Sequence, residues 1–271
     1  MKTNKIIRPN GLFQQWQSLL TNRTKRTQTG KFIVQGVRPI NLAISQKLDI
    51  QTMLYKEGKL SDWAKNTLKT IADAKKYEVS AELMKTLGEK TDDAPELLLV
   101  AKIPFVDLNT VQLTNLRSQF ILVLDRPQNP GNIGAVVRSA DALGAAMVII
   151  TGHAADIYDP KSVRASRGSL FALPVATAES PSTIQEWVAK QQENFAIIGL
   201  CEDGNKNLWD YNLRQPTIAV IGNETWGLSK QWKEVCTDIA TIPMHGTASS
   251  LNAASSAAIV MYEYSKQTSA K

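Results

Sequence analysis

The residues with the clearest chemical potential lie near the C-terminus, where Ser249, Ser250 and Asn252 follow a turn that contains Pro and Gly. A run of Ala and Ser comes next and predicts a helix that reaches about Lys266, with Ser249 or Ser250 as its N-cap. Unpaired N–H groups and the positive end of the helix dipole favour an anion there. The small side chains would also let other backbone approach closely. The plain alternative is a good helix former that closes a domain.

Polar residues also follow two predicted strands earlier in the chain. The apolar run Phe120–Leu124 leads through a long loop to Asn132 and then to a helix that carries Arg138. Glu224 comes directly after the apolar run 217–222. Parallel strands place their carboxyl ends at one edge of a sheet, where α/β proteins bind ligands. If Asn132 stays in the loop, it can address the same end of the sheet as Arg138. A surface ion pair for Arg138 and N–H capping by Glu224 are the common alternatives.

Several other classes of site are disfavoured. Gly131 and Gly134 lack the third glycine of a dinucleotide-binding loop, and no phosphate-loop Lys follows them. The two histidines, His153 and His245, are too far apart in the chain to suggest a metal centre or a catalytic triad. The sequence has no run of 18 apolar residues and no secretory signal, so we expect a soluble cytoplasmic protein whose cysteines are free thiols.

Positive charge is concentrated at the start of the chain. The net charge is +6, and residues 1–48 contain nine Lys and Arg residues but no Asp or Glu. An apolar helical face over residues 12–20 precedes the basic stretch 21–31, which we expect to be a flexible loop. A polyanion such as RNA is the natural partner of this arm, although a transit peptide or a solvated tail would look alike. Three more cations lie on a predicted short helix after Asp159. The candidate RNA contacts are Arg23, Lys25, Arg26, Lys161, Arg164 and Arg167.

The order of predicted elements indicates an α/β protein with two parts. Strands and helices alternate from Phe32 to Ala101 as a small α/β unit, and residues 103–118 lose periodicity. Apolar runs from Phe120 onwards alternate with helices, as in a buried parallel sheet. Within the first part, Trp63 could stack on a base, but a core position is the commoner role of such a residue.

Three stretches of the second part resemble a known family in their order and spacing. Residues 129–138, 221–229 and 242–252 resemble the three motifs of the SpoU/TrmH branch of the SPOUT RNA methyltransferases. Residues 30–102 more loosely resemble the L30e-like RNA-binding domain that precedes the catalytic domain in members that modify rRNA.

The resemblance implies a fold and an assembly. The C-terminal domain, residues 119–271, would be a parallel-sheet SPOUT domain with a deep trefoil knot, and residues 31–108 a smaller L30e-like α/β domain. Residues 1–30 would form the basic arm and 109–118 a linker. Two copies would pair through the knotted region as a homodimer.

The resemblance also implies a chemistry. S-adenosylmethionine would donate a methyl group to a ribose 2′-hydroxyl of RNA without a metal, and the L30e-like domain points to large-subunit rRNA as the substrate. Arg138 matches the family's catalytic Arg, while Asn132, Glu224, Ser250 and Asn252 match further motif positions. The positions expected at the donor are Leu200, Cys201, Gly222, Ile242, Met244 and Leu251.

Two alternative functions remain at this stage. The substrate could be tRNA, because recognition lies in loops whose specificity the sequence does not reveal. The chain could also be a non-catalytic RNA-binding or ribosome-assembly factor that keeps the fold. The joint presence of Arg138, Glu224 and Asn252 favours an enzyme, since a binding module has little use for that combination.

Overall fold

A computed structural model describes residues 4–89, 93–112, 118–191 and 193–269. The chain divides into two compact units, of which the first comprises Met1–Pro104 and Tyr158–Phe171 and the second Phe105–Ile157 and Ala172–Lys271. The sequence did not suggest that Tyr158–Phe171 belongs with the N-terminal unit. The second unit also begins earlier than expected, since Leu108 is buried in its core. Half of the expected linker 109–118, residues 113–117, lies outside the described residues.

The described residues form twelve strands and ten α-helices. The strands are β1 Asn4–Ile6, β2 Lys31–Gln35, β3 Ile50–Lys56, β4 Lys75–Val79, β5 Leu97–Lys102, β6 Phe120–Asp125, β7 Met147–Thr151, β8 Val175–Ala178, β9 Ala196–Leu200, β10 Lys206–Asn207, β11 Thr217–Ile221 and β12 Asp238–Thr241. The helices are α1 Gly11–Thr21, α2 Arg23–Thr29, α3 Val37–Ser45, α4 Asp62–Thr70, α5 Ala81–Leu87, α6 Pro130–Ala142, α7 Pro160–Ser166, α8 Pro181–Ala189, α9 Lys230–Val235 and α10 Ala253–Ser269.

The first unit is built on a mixed sheet with the strand order β1-β4-β3-β5-β2. Helix α1 packs on this sheet through an apolar face. The residues of that face recur at every third or fourth position, as the apolar spacing of the sequence predicts. Phe13, Trp16 and Leu20 of this face are buried, whereas Leu12 is 38% exposed and lies off it. Strands β1 and β4 were not predicted, because β1 is short and β4 begins with two Lys residues that resemble a helix end.

The prediction of a flexible basic loop at residues 21–31 is wrong. This stretch forms α2, which Asn22 caps by accepting the N–H of Lys25 at 3.1 Å and which Gly30 ends at a φ of +62°. Arg26 is only 2% exposed and donates to the carbonyl of Leu19 at 2.7 Å. Its burial contradicts the RNA contact expected for Arg26, whereas Arg23 and Lys25 are exposed.

The second unit contains a parallel sheet with the strand order β10-β12-β9-β11-β6-β7-β8. Strands β6 and β11 lie side by side in its middle, and all of their residues are buried. This agrees with their continuous apolar sequences. Because every described pairing in this sheet is parallel, the loops after β6, β9, β11 and β12 leave from one edge. None of the described helices is both long and apolar enough to cross a membrane.

The burial of Arg26 predicts a structural role that can be measured. Its guanidinium also lies 3.5 Å from Asp159, so Arg26→Ala leaves a carboxylate and backbone carbonyls without their donor. We expect the free energy of unfolding to fall by about 1–3 kcal/mol in urea titration. Lys25→Ala in the same helix is the control and should change it by less than about 0.5 kcal/mol. Equal effects of the two variants would contradict this role.

Candidate active site

An ion pair fixes the start of the loop that follows β6. Asp125, the last residue of β6, is 3% exposed, and both of its oxygens accept from the Arg126 guanidinium at 2.9 Å. The hydrogen bond from Arg126 to Asp125 raises the pKa of Arg126 against the effect of burial. Asp125 also accepts the N–H of Ser229 at 2.8 Å, and Arg126 donates to the carbonyl of Gly227 at 3.3 Å. The loops after β6 and β11 are therefore joined at their base. Neither Asp125 nor Arg126 was predicted as a site residue, although Asp-Arg directly after an apolar strand was an available signal.

Asn223 shapes the turn after β11. Its side-chain amide donates to the carbonyl of Arg126 at 2.7 Å, and its side-chain oxygen accepts the N–H groups of Thr225 and Trp226 at 2.9 and 3.0 Å. Gly227 has a φ of +61°, which an L side chain rarely adopts, and it closes the turn.

Glu224 joins this turn to the beginning of α6. Its carboxylate accepts the N–H of Gln128 at 3.0 Å, the N–H of Asn129 at 3.3 Å and the side-chain amide of Asn132 at 3.1 Å. Burial acts to raise the pKa of Glu224, but the donors at Gln128, Asn132 and Asn129 outweigh it and the pKa is lowered. Glu224 therefore caps N–H groups, which is the common alternative named above for a carboxylate in this position.

The structure corrects the position expected for Asn132. Asn132 lies within α6, and Asn129 is the N-cap, accepting the N–H groups of Gly131 and Asn132 at 2.8 and 3.3 Å. Six helical residues rotate a side chain by about 240° in excess of one full turn, so Asn132 and Arg138 lie on different faces of α6. Arg138 is exposed, and within the described part of the chain its guanidinium has no hydrogen-bond or ion-pair partner.

Asn252 brings the third loop to the same junction. Its side-chain amide donates to the Asn132 side-chain oxygen at 3.4 Å, and its own oxygen accepts the N–H of Ala254 at 2.8 Å. Asn252 thus caps α10, and the N-cap predicted at Ser249 or Ser250 is wrong. Helix α10 packs against α6. The side chains of Asn252, Asn132 and Glu224 therefore form one hydrogen-bonded chain through the three loops.

A cavity of about 450 Å³ opens beside this junction. Its size is within the range of ~300–1,000 Å³ that is usual for small-molecule sites. Glu224 and Ser250 line the cavity. So do all six positions expected at the donor, which are Leu200, Cys201, Gly222, Ile242, Met244 and Leu251. At Gly222 a Cβ would lie 2.4 Å from the backbone carbon of Gly227, so only glycine lets the turn fold back here.

The remaining expected residues lie elsewhere. Lys161, Arg164 and Arg167 belong to the first unit rather than to the unit with the cavity. Arg164 pairs with Glu89, and Arg167 is an exposed residue at the end of α7. Arg164 and Arg167 line a groove of about 910 Å³ with Trp63, which is half-buried and donates to Asn41 at 2.9 Å. Among the described residues no group of three or more His, Cys, Asp or Glu side chains could hold a metal ion.

The fold and the site together place this protein among α/β enzymes that bind a small molecule at the carboxyl edge of a parallel sheet. The model of the SpoU rRNA Methylase family matches residues 119–262, and that of the SpoU L30e-like domain matches residues 10–99. The chain therefore belongs to the SpoU rRNA methylase family.

Two relatives and one solved structure illustrate the similarity. The chain is 45% identical to a 23S rRNA (uridine(2479)-2′-O)-methyltransferase of Streptomyces viridochromogenes, with 97% of this chain and 92% of that one covered. It is 26% identical to the 23S rRNA (guanosine(2553)-2′-O)-methyltransferase RlmP of Bacillus subtilis, with 93% and 95% covered. The crystal structure of the SpoU methyltransferase AviRb from S. viridochromogenes with the cofactor AdoMet is 43% identical and covers 97% of this chain and 100% of its own, with a TM-score of 0.87.

The junction predicts that Glu224→Gln destabilises the second unit in a pH-dependent manner. A lowered folded pKa adds stability that is complete above the unfolded value near 4.5 and is lost as pH falls through the folded value. We expect a loss of about 1 kcal/mol or less in urea unfolding at pH 7, because the side chain is exposed. The difference from the wild type should shrink as pH is lowered past 4.5.

Glu234→Gln is the matched control. This carboxylate of α9 is exposed and lies 3.8 Å from Lys230. The Glu234→Gln variant should unfold like the wild type both at pH 7 and below pH 4.5. A difference between Glu224→Gln and the wild type that stays constant with pH would contradict the role given to the carboxylate.

Proposed function

We propose that this protein transfers a methyl group from S-adenosylmethionine to a ribose 2′-hydroxyl of large-subunit rRNA. The observation that carries the proposal is the placement of all six expected donor positions around one cavity, next to the junction of the three motif loops. The activities of the two relatives, which align over nearly the whole chain, support the same reaction and the same class of substrate.

The size and the lining of the cavity suit the methyl donor. Apolar side chains of Leu200, Ile242, Met244 and Leu251 can cover its apolar parts, while main chain is accessible beside Gly222. S-adenosylmethionine supplies a methyl group on a sulfonium centre, which is already electrophilic and requires no metal. The protein therefore has to hold the donor, align the acceptor oxygen and assist its deprotonation.

Arg138 is the proposed catalytic residue. Its exposed guanidinium is available for an RNA phosphate and for the negative charge that develops on the attacking ribose oxygen. A guanidinium normally stays protonated, so we assign it charge stabilisation rather than proton abstraction. As the ribose oxygen bonds to the methyl carbon, the donor's C–S bond breaks, the sulfur keeps the electron pair as a neutral thioether, and the hydroxyl proton passes to water. Asn132, Glu224 and Asn252 hold the loops in register through their hydrogen bonds. Ser250, exposed at the cavity, contributes a hydroxyl toward the substrate.

The first unit is proposed to bind RNA beyond the target nucleotide. Its exposed cations Arg23, Lys25 and Lys161, together with Arg167 at the groove, are suited to phosphate contacts. The match of residues 10–99 to the SpoU L30e-like domain supports this division of labour.

A homodimer and a trefoil knot complete the proposal. Strand β12 lies next to the edge strand β10, but helix α10, which follows it, packs on α6 and on the central strand β11. This course of the chain supports a threaded C-terminal segment. The outward face of α10 carries Ile259 and Tyr262, which are 37% and 63% exposed and could meet a second copy. We also propose a cytoplasmic location, where rRNA and the donor are both present.

The function is tested by labelled-methyl transfer to total RNA followed by alkaline and nuclease mapping. A 2′-O-methyl group blocks alkaline cleavage, so we expect the label in alkali-resistant linkages of 23S-type rRNA. Label in tRNA instead would favour the tRNA alternative. Absence of label from any RNA would favour the non-catalytic assembly factor.

Gly222→Ala should disable the donor site. The added Cβ would lie 2.5 Å or less from backbone atoms of Gly227 and Leu228, so the turn that lines the cavity must shift. We expect the affinity for S-adenosylmethionine in calorimetry to fall by at least about 10-fold, or about 1.4 kcal/mol. Gly246→Ala is the control, because nothing lies within 4 Å of its Cβ. Unchanged donor affinity in Gly222→Ala would place the donor elsewhere.

Arg138→Ala should separate chemistry from donor binding. We expect kcat to fall by about 100-fold or more, as when an oxyanion-stabilising donor is removed, with unchanged affinity for S-adenosylmethionine. Lys230→Ala, which removes an exposed cation of α9, should retain wild-type kcat. Full methyl transfer by Arg138→Ala would exclude Arg138 from the mechanism.

A further inference from the structure

Trp226 stands at the rim of the donor cavity with 77% of its surface exposed. Isolated exposed apolar residues are ordinary on protein surfaces, so exposure alone carries no conclusion. The position of Trp226 is what distinguishes it, because it lines the same cavity as Gly222 and Leu251. Trp209 of the same unit is 53% exposed but does not line this cavity, and it provides a comparison.

The backbone that carries Trp226 is fixed. Its N–H donates to the Asn223 side chain at 3.0 Å, and the backbones of Asn223 and Gly227 exchange two hydrogen bonds of 3.0 Å. Asn223 is itself held by the carbonyl of Arg126 at 2.7 Å. The turn therefore presents an indole to solvent with little backbone entropy left to lose on binding. Such preorganisation benefits contact with a ligand.

The reaction restricts what this indole can meet. The acceptor is a ribose oxygen, and it must reach a methyl group held inside the cavity. The base of that nucleotide is attached to the same ribose, so the target base or its neighbour has to lie near the rim. Bases of single-stranded or unstacked RNA pack on aromatic side chains. Lys233, which is exposed and also lines the cavity, can attract the adjoining phosphate.

We propose that Trp226 is a stacking platform for an unstacked nucleobase of the substrate RNA, either the target base or its neighbour. This inference rests on the proposed function, because it requires an RNA acceptor at the cavity. The indole face accepts any base, so it adds affinity and positions the strand without setting sequence preference.

The test compares Trp226→Ala, Trp226→Phe and the control Trp209→Ala with the wild-type protein. Methyl transfer to unmodified 23S rRNA transcript is measured at saturating S-adenosylmethionine, and RNA affinity is measured separately by filter binding. For Trp226→Ala we expect KM and Kd for RNA to rise by about 10-fold, since base–aromatic stacking contributes on this scale. We expect kcat and donor affinity to stay within about 2-fold of the wild type, Trp226→Phe to recover most of the loss because its ring still stacks, and Trp209→Ala to match the wild type.

Three results would overturn the inference. Weaker donor binding in Trp226→Ala would mean that the indole covers the donor, and a changed mass in sedimentation would mean that it lies in a subunit contact. Unchanged RNA affinity would mean that it contacts no base. The proposed function is judged independently by the wild type: an inactive wild type whose RNA affinity still depends on Trp226 would refute methyl transfer but keep the stacking platform.

Discussion

The arrangement of the site depends on how one carboxylate is shared. Glu224 follows β11, yet its oxygens accept N–H groups from the loop after β6 and the amide of Asn132 in α6. Asn132 in turn accepts from Asn252 at the beginning of α10. Segments that are more than 90 residues apart in the chain are thereby held at one edge of the sheet. Burial acts to raise the pKa of Glu224, but its N–H and amide donors lower it, so the carboxylate stays ionised to a lower pH than an ordinary Glu side chain.

Because of this junction, main-chain groups form part of the cavity wall. The turn 223–227 folds back against Gly222 so tightly that a Cβ would collide with main chain, and the ion pair of Asp125 and Arg126 anchors the same turn from below. Loops fixed in this way can present carbonyl and N–H groups to a ligand without reorganisation. Few side chains are then needed for catalysis, and we propose Arg138 as the cation that stabilises the charge developing on the ribose oxygen.

Much of the second unit's fold and of the cavity lining was predictable from the sequence. Continuous apolar runs predicted β6 and β11, and the order of the three motifs predicted the family, the parallel sheet and the set of residues around the cavity. The failures have physical causes. Arg26 looked like an exposed RNA contact because local sequence does not show that Leu19 and Asp159 would bury it. Asn132 was expected in the loop, and Ser249 or Ser250 at the start of α10, because the local sequence does not show which polar side chain accepts the first helical N–H groups. Asn129 accepts those of Gly131 and Asn132, and Asn252 accepts that of Ala254.

We propose that the three loops joined at Glu224 form the binding site of the methyl donor. A crystal structure of the protein grown with S-adenosylmethionine tests it most directly. We expect electron density for the donor in the cavity bordered by Gly222, Ile242 and Leu251, with main-chain hydrogen bonds to the surrounding loops. Donor density at any other place in the molecule, with this cavity filled only by solvent, would contradict it.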